Sequence, residues 1–257
     1  MAGLVHGPSR KFGLLSVSGR RQPVVLAFSG GKDSLLALAR LSADPDWRVV
    51  RLLTTLNESY QRIAMHGVRR SLLEEQARAL DLPLDLVFLP ADGGNTEYEA
   101  ALSRRLVEYQ AVGINQVAFG DLFLEDVRRY RETHLAQVGM TGLFPLWGQP
   151  TDGLARRFIT EGFRAIVVCV DTTQLDPSFA GREFDDRFLD TLPPTVDPCG
   201  ERGEFHTFVY DGPPFNRPIP FQRGQTVLRD QRFQYCELHP LSPEPNPADI
   251  RPRGRPP

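Results

Sequence analysis

The residues best able to do chemistry stand together in one turn, Ser29-Gly30-Gly31-Lys32-Asp33-Ser34. Adjacent glycines let a backbone bend sharply and come close to a ligand, because neither carries a Cβ. Around them lie the hydroxyls of Ser29 and Ser34, the cation of Lys32 on a mobile stem, and the Asp33 carboxylate, placed to approach a magnesium ion. Where such a turn opens a helix, the first N–H groups are unpaired and partially positive, so the turn is an anion cradle with phosphate as its natural guest. The spacing is not the GxxxxGK[ST] of the common nucleoside-triphosphate loop, since Asp33 follows Lys32. A different phosphate chemistry is implied. Of 30 basic residues only Lys11 and Lys32 are lysine, so a chain otherwise built with arginine keeps a compact point charge here.

The elements that must position this turn follow from hydrophobic pattern. Val24 to Phe28 is an unbroken apolar run, suited to a strand buried on both faces, and Leu35, Leu36, Leu38 and Ala39 begin a helix directly after the turn. Trp47 to Leu56 predicts a second strand that ends in the polar run from Thr54 to Ser59, at a strand carboxyl end where α/β sheets bind ligands. Val68, Leu72, Leu73, Gln76, Ala77 and Leu80 share one helical face. Leu84 to Leu89 and Ile114 to Phe119 predict strands three and four, the latter closed by Gly120-Asp121. Phe163 to Val170 is the last strong strand. Repeated strand-then-helix units predict an α/β protein with a Rossmann-like, doubly wound parallel sheet, and with strands one and four adjacent the Ser29 to Ser34 turn faces Gly120-Asp121 across the crevice.

After Asp171 prolines, glycines and aromatics rise, with one helix expected at Asp185 to Leu192 and strands at Phe205 to Tyr210 and Thr226 to Leu238. The expected organisation is a flexible leader over 1–22, a nucleotide-binding domain over 23–175, a smaller C-terminal α+β domain on the substrate side over 176–238, and a proline-rich disordered tail over 239–257.

Two further features carry chemistry. Leu124, Val127, Leu135 and Val138 make a helical stripe into which Arg131 falls, so Arg131 meets either an anionic substrate or a structural Asp or Glu. In Asp197-Pro198-Cys199-Gly200-Glu201-Arg202-Gly203-Glu204-Phe205-His206-Thr207-Phe208, two carboxylates sit among glycines at a bend. Such carboxylates orient an amine, hold magnesium or accept a proton, and the competing structural account is a charged hairpin turn.

The 257 residues carry a net charge of −2, which excludes a nonspecific electrostatic nucleic-acid binder. Cys169, Cys199 and Cys236 form no CxxC pair, so neither a zinc site nor a disulfide framework is indicated and a cytoplasmic location is expected. No apolar run approaches the length of a membrane span.

SGGKDS in this setting resembles the PP-loop of the N-type ATP pyrophosphatases. Taken with GDLFLEDVRRYRE, LFPLW and PCGERGEFHTF in that order, it resembles the diphthine–ammonia ligase family of PP-loop enzymes over roughly Val24 to Pro213, in a short stand-alone form. Two positions depart from the family pattern, Asp121 and Phe205-His206. The resemblance implies an ATP-dependent carbon–nitrogen ligase of diphthamide biosynthesis. It would adenylate an acceptor carboxylate, release AMP and pyrophosphate, and transfer ammonia. It implies ATP and Mg²⁺ as cofactors, and ATP, ammonia and diphthine on a translation elongation factor as partners, with no membrane and with a homodimer compatible. Carried over by position, Ser29, Gly30, Gly31, Lys32, Asp33, Ser34 and Gly120 would bind nucleotide, with Asp33 toward the metal, and Thr54, His66 and Asp121 are further candidates for the nucleotide site. Lys32, Asp33, Glu201 and Glu204 would be catalytic, and Arg131, Gly203, His206 and Thr207 would bind substrate. The alternatives are a tRNA-thiolating PP-loop enzyme, with Cys199 as its candidate thiol, and a nucleotide-binding sensor without turnover.

Overall fold

A computed structural model describes residues 21–57, 62–63, 67–89 and 95–241. Nearly all of the expected leader and tail lies outside these residues, as does His66.

The N-terminal half alternates strands and helices. In chain order these are β1 (Gln22–Ala27), α1 (Lys32–Ala43), β2 (Trp47–Asn57), the short β3 (Arg62–Ile63), α2 (Arg70–Ala79), β4 (Leu84–Leu89), α3 (Asn95–Ala111), β5 (Gln116–Ala118), α4 (Glu125–Gln137) and β6 (Thr141–Leu143). Strands β4, β2, β1, β5 and β6 lie side by side in that order, all parallel, with β3 paired antiparallel to the end of β2. Chain order reverses on either side of β1, so the crevice of this Rossmann-like sheet opens at the carboxyl end of β1, where the glycine turn stands.

Alternation along the strands covers both faces. Val24 and Leu26 of β1 pack with Leu52 and Leu56 of β2 against α1 and α2. Val25 faces the other way, toward Leu53, Val117, Leu106 and Tyr109 of α3, and Leu135 of α4. The sheet is doubly wound because a strand buried on both sides requires helices on both sides.

The C-terminal half comprises α5 (Thr151–Thr160), β7 (Arg164–Asp171), α6 (Asp186–Asp190), β8 (Phe205–Asp211), β9 (Phe221–Arg229) and β10 (Phe233–Pro240). Its four strands form an antiparallel sheet in the order β8, β7, β10, β9. Two expectations are corrected here. The apolar run ending at Val170 is not a strand of the parallel sheet: it pairs antiparallel with β8 and β10. An unbroken apolar run fits the centre of either kind of sheet, so its pattern does not choose. Nor is Thr226 to Leu238 one strand. It is a hairpin that turns at Asp230 and Gln231, both with positive φ, 51° and 52°, without the glycine that usually announces such a turn.

The two sheets share one apolar core, in which Phe208 and Val209 of β8 meet the α1 and α2 face of the parallel sheet. Phe158, Phe163, Phe184, Phe188 and Phe205 extend it, with successive rings 4.9 to 5.5 Å apart. Because Phe208 is fully buried in this shared core, Phe208→Ala is expected to lower stability by about 3–5 kcal/mol. Urea denaturation followed by far-UV circular dichroism checks this, and loosening of both halves in the same transition is the expected form.

Candidate active site

The glycine turn is built from both halves of the molecule. Gly30 has φ +73°, in the left-handed region, and a Cβ there would stand 2.4 Å from Gln76 Oε1. Only glycine fits both constraints. Gly31 is the N-cap of α1 and, as a glycine, brings no capping side chain of its own. Of the first-turn amides, that of Lys32 is taken by Thr207, and those of Asp33 and Ser34 are the ones placed to meet a ligand. Ser29 Oγ accepts the Gly31 N–H at 3.3 Å, and Ser34 Oγ donates to the Gly31 carbonyl at 2.8 Å. From β8, the Val209 N–H donates to the Gly30 carbonyl at 2.9 Å, and the Lys32 N–H donates to Thr207 Oγ1 at 3.0 Å. The buried Gln76 amide donates to both the Gly30 and Val209 carbonyls, at 2.9 and 2.6 Å.

Across the crevice, Gly120 lies so close that a Cβ would be 2.9 Å from the Asp33 carbonyl carbon. What its missing side chain admits is the backbone of α1. Asp121 and Arg131 form an ion pair, with Arg131 Nε 2.7 Å from Asp121 Oδ2 and the guanidinium 4.5 Å from the Phe119 ring centre. Arg131 thus has the carboxylate partner that its place in an apolar stripe demands. Thr54, buried at the end of β2, donates its hydroxyl to the Phe28 carbonyl.

The 197–204 loop supplies the third wall. Asp197 Oδ1 accepts the Cys199 and Glu201 N–H groups at 2.8 and 3.3 Å, and Asp197 Oδ2 accepts the Thr151 hydroxyl at 2.8 Å. Glu204, 1% exposed, accepts the Asp197 and Arg202 N–H groups at 3.0 and 2.9 Å. Its carboxylate organises the loop from inside. Glu201 instead faces the cleft, and its Oε1 accepts the Leu122 N–H at 2.7 Å. Burial pushes the Glu201 carboxyl up to about 7, with Asp33 and Asp121 adding to the rise against the Leu122 hydrogen bond and Lys32.

Together these walls enclose a cleft of about 370 Å³, a size suited to a small ligand. Of the residues expected in the site, it brings together Ser29, Gly31, Lys32, Asp33, Ser34, Thr54, Gly120, Asp121, Arg131, Glu201, His206 and Thr207. Gly30, Gly203 and Glu204 do not line it. Lys32, expected as a mobile cation, is buried and engaged: Nζ donates to the Cys199 carbonyl and to both Asp33 oxygens. Burial disfavours its charge, but the neighbouring carboxylates outweigh burial and raise its pKa. Gln76 and Asp197 were not singled out from sequence. Gln76 carried a signal, a polar residue within an apolar helical stripe. Asp197 carried none beyond its place beside Pro198. Among the described residues no group of three or more His, Cys, Asp or Glu side chains is arranged to hold a metal ion.

A strand, a glycine turn and a helix N-terminus at the switch point of a parallel sheet make a Rossmann-like nucleotide-binding fold, consistent with that of the PP-loop ATP pyrophosphatases. Residues 22–142 match the family model of the diphthamide synthase N-terminal domain, and residues 150–237 that of the diphthamide synthase C-terminal domain. The chain belongs to the diphthamide synthase family. It is 26% identical to the diphthine–ammonia ligase of Rattus norvegicus over 229 residues, covering 80% of this chain and 85% of that protein. It is also 26% identical to that of Homo sapiens over 250 residues, covering 84% and 91%. At the level of the family the function is that of a ligase that uses ATP. Among the described residues no helix is long and apolar enough to cross a membrane.

The raised Glu201 pKa has a sign in stability. The folded state holds this proton to a higher pH than the unfolded chain, whose ordinary value is 4.5. The contribution of Glu201 to stability is therefore fully present below about pH 4.5 and lost as pH rises toward about 7. Glu201→Gln removes that slope while keeping an acceptor for Leu122. Urea unfolding at pH 5 and pH 8 should show a smaller loss of stability between them in the variant than in wild type.

Proposed function

We propose that this chain is an AMP- and pyrophosphate-forming ligase that adenylates an acceptor carboxylate and amidates it with ammonia. The observation that carries this reading is the juxtaposition, across one cleft, of the glycine turn and α1 N-terminus with Glu201 on the loop of the second sheet. The helix terminus and the Gly30-Gly31 turn suit an anion of developing charge, and an acid with a pKa near neutrality suits proton transfer at neutral pH.

In this mechanism the triphosphate rests on the Ser29–Ser34 turn. An acceptor carboxylate oxygen attacks the α-phosphorus, and the bond from that phosphorus to the bridging oxygen breaks, so that pyrophosphate leaves with the electron pair. The loop amides and the helix dipole stabilise the departing charge. Ammonia then attacks the acyl carbon, the carbon–oxygen bond to AMP breaks, and the proton released from nitrogen passes to the Glu201 carboxylate. Asp33 is the residue at the turn that would hold Mg²⁺, which supplies charge neutralisation on the phosphates; such an ion commonly takes one or two carboxylates with phosphate and water completing its shell. Diphthine on a translation elongation factor is the acceptor that the names of the relatives and the motif resemblance support.

The thiolating alternative requires an accessible thiolate. Cys199 is 1% exposed, its thiol lies 3.3 Å from the Thr151 carbonyl, and burial pushes its pKa up. That environment favours the ligase.

ATP–pyrophosphate exchange with Mg²⁺ across carboxylate acceptors, diphthine-bearing elongation factor included, tests the reading. Acceptor-dependent exchange in wild type that falls about 100-fold or more in Asp33→Asn is the expected outcome. Tight ATP binding with neither exchange nor AMP formation, even with ammonia present, would leave a nucleotide-binding sensor instead. The pH profile of kcat/KM should rise through an apparent pKa near 7. In Glu201→Gln that limb disappears and the rate falls about 10²–10⁴-fold.

A further inference from the structure

The Lys32 ammonium is buried and held from both halves of the molecule. It is 3% exposed, and it donates to the Cys199 carbonyl and to the Asp33 carboxylate, whose two oxygens lie 3.0 and 2.8 Å from Nζ. The rings of Phe205 and Phe184 lie over it, 5.6 and 5.9 Å from ring centre to Nζ. Its own backbone N–H is taken by Thr207. These surroundings suit a compact point charge rather than a planar fork, in keeping with lysine at this place in an arginine-rich chain. What the ammonium holds is also specific. Cys199 lies two residues before Glu201, on a loop that Asp197 and Glu204 brace within the second half of the molecule and that meets the first half through Lys32 and through the Leu122 N–H on Glu201.

We infer that Lys32 is a positioning residue: its ammonium fastens the 197–204 loop to the phosphate turn and so sets where Glu201 stands in the cleft, while backbone amides hold the phosphates. The consequence for turnover rests on the ligase reading above; the tether itself does not. The competing account has Lys32 leaving Cys199 for the phosphates when nucleotide arrives.

The buried Cys199 thiol reports on the tether. Iodoacetamide labelling of the full chain is read at each cysteine by mass spectrometry. In Lys32→Met, whose stem keeps the packing and drops the charge, Cys199 labels about tenfold faster or more than in wild type, as local opening of one loop requires. Cys169 and Cys236, buried in the second sheet, keep their rates. An unchanged Cys199 rate overturns the proposal. Lys32→Arg is expected to behave like Lys32→Met, and an arginine variant as protected as wild type overturns it equally.

Where a variant does not fold, wild type answers. Saturating α,β-methylene-ATP with Mg²⁺ leaves Cys199 protected if the tether persists, and faster labelling in that complex overturns it. In turnover Lys32→Met lowers kcat and keeps KM for ATP within about threefold, whereas a tenfold rise in KM at unchanged kcat assigns Lys32 to the phosphates. Calorimetric titration of wild type with the analogue separates the two readings: absence of binding removes the nucleotide reading, and labelling without nucleotide still decides the tether.

Discussion

The carbonyl of Gly30 is the point on which the site depends. It accepts the Val209 N–H of β8 and the Gln76 amide of α2 together, and Gln76 spends its second N–H on Val209 itself. A turn left to its own flexibility would present phosphate-binding amides only part of the time. Here three elements from distant parts of the chain impose one conformation. The left-handed φ at Gly30 is the local cost of that arrangement, and a residue without a Cβ keeps the cost small.

From this follows the character of the second half of the molecule. The antiparallel sheet is a wall of the phosphate site, because β8 touches the turn through Val209 and Thr207 and then, by way of the 197–204 loop, brings Glu201 to Leu122 on the opposite side. The aromatic cluster behind it gives that wall a rigid backing, and two of its rings close over the Lys32 ammonium.

The charges in the cleft are arranged in opposed pairs. Asp33 lies with Lys32 and Asp121 with Arg131. Glu201 accepts the Leu122 and Phe123 N–H groups, and burial pushes its carboxyl up to about 7. Burial raises the Asp33 carboxyl as well, against the opposing pull of Lys32.

The sequence by itself determined the parallel sheet, the glycine turn at its switch point and the motif order, because these are local: apolar runs, adjacent glycines and helix onset act over a few residues. It left Arg131 between two fates and did not distinguish Glu201 from Glu204, although both stand in one bend. The tertiary structure decided each case through a contact made from far along the chain: Asp121 meets Arg131, Leu122 draws Glu201 into the cleft, and Asp197 with Arg202 turns Glu204 inward. It likewise placed the Phe163 to Val170 run in the antiparallel sheet and buried the Lys32 cation that the turn seemed to leave free. Pairing partners and burial are properties of the whole fold, and a residue's type and its neighbours in sequence do not contain them.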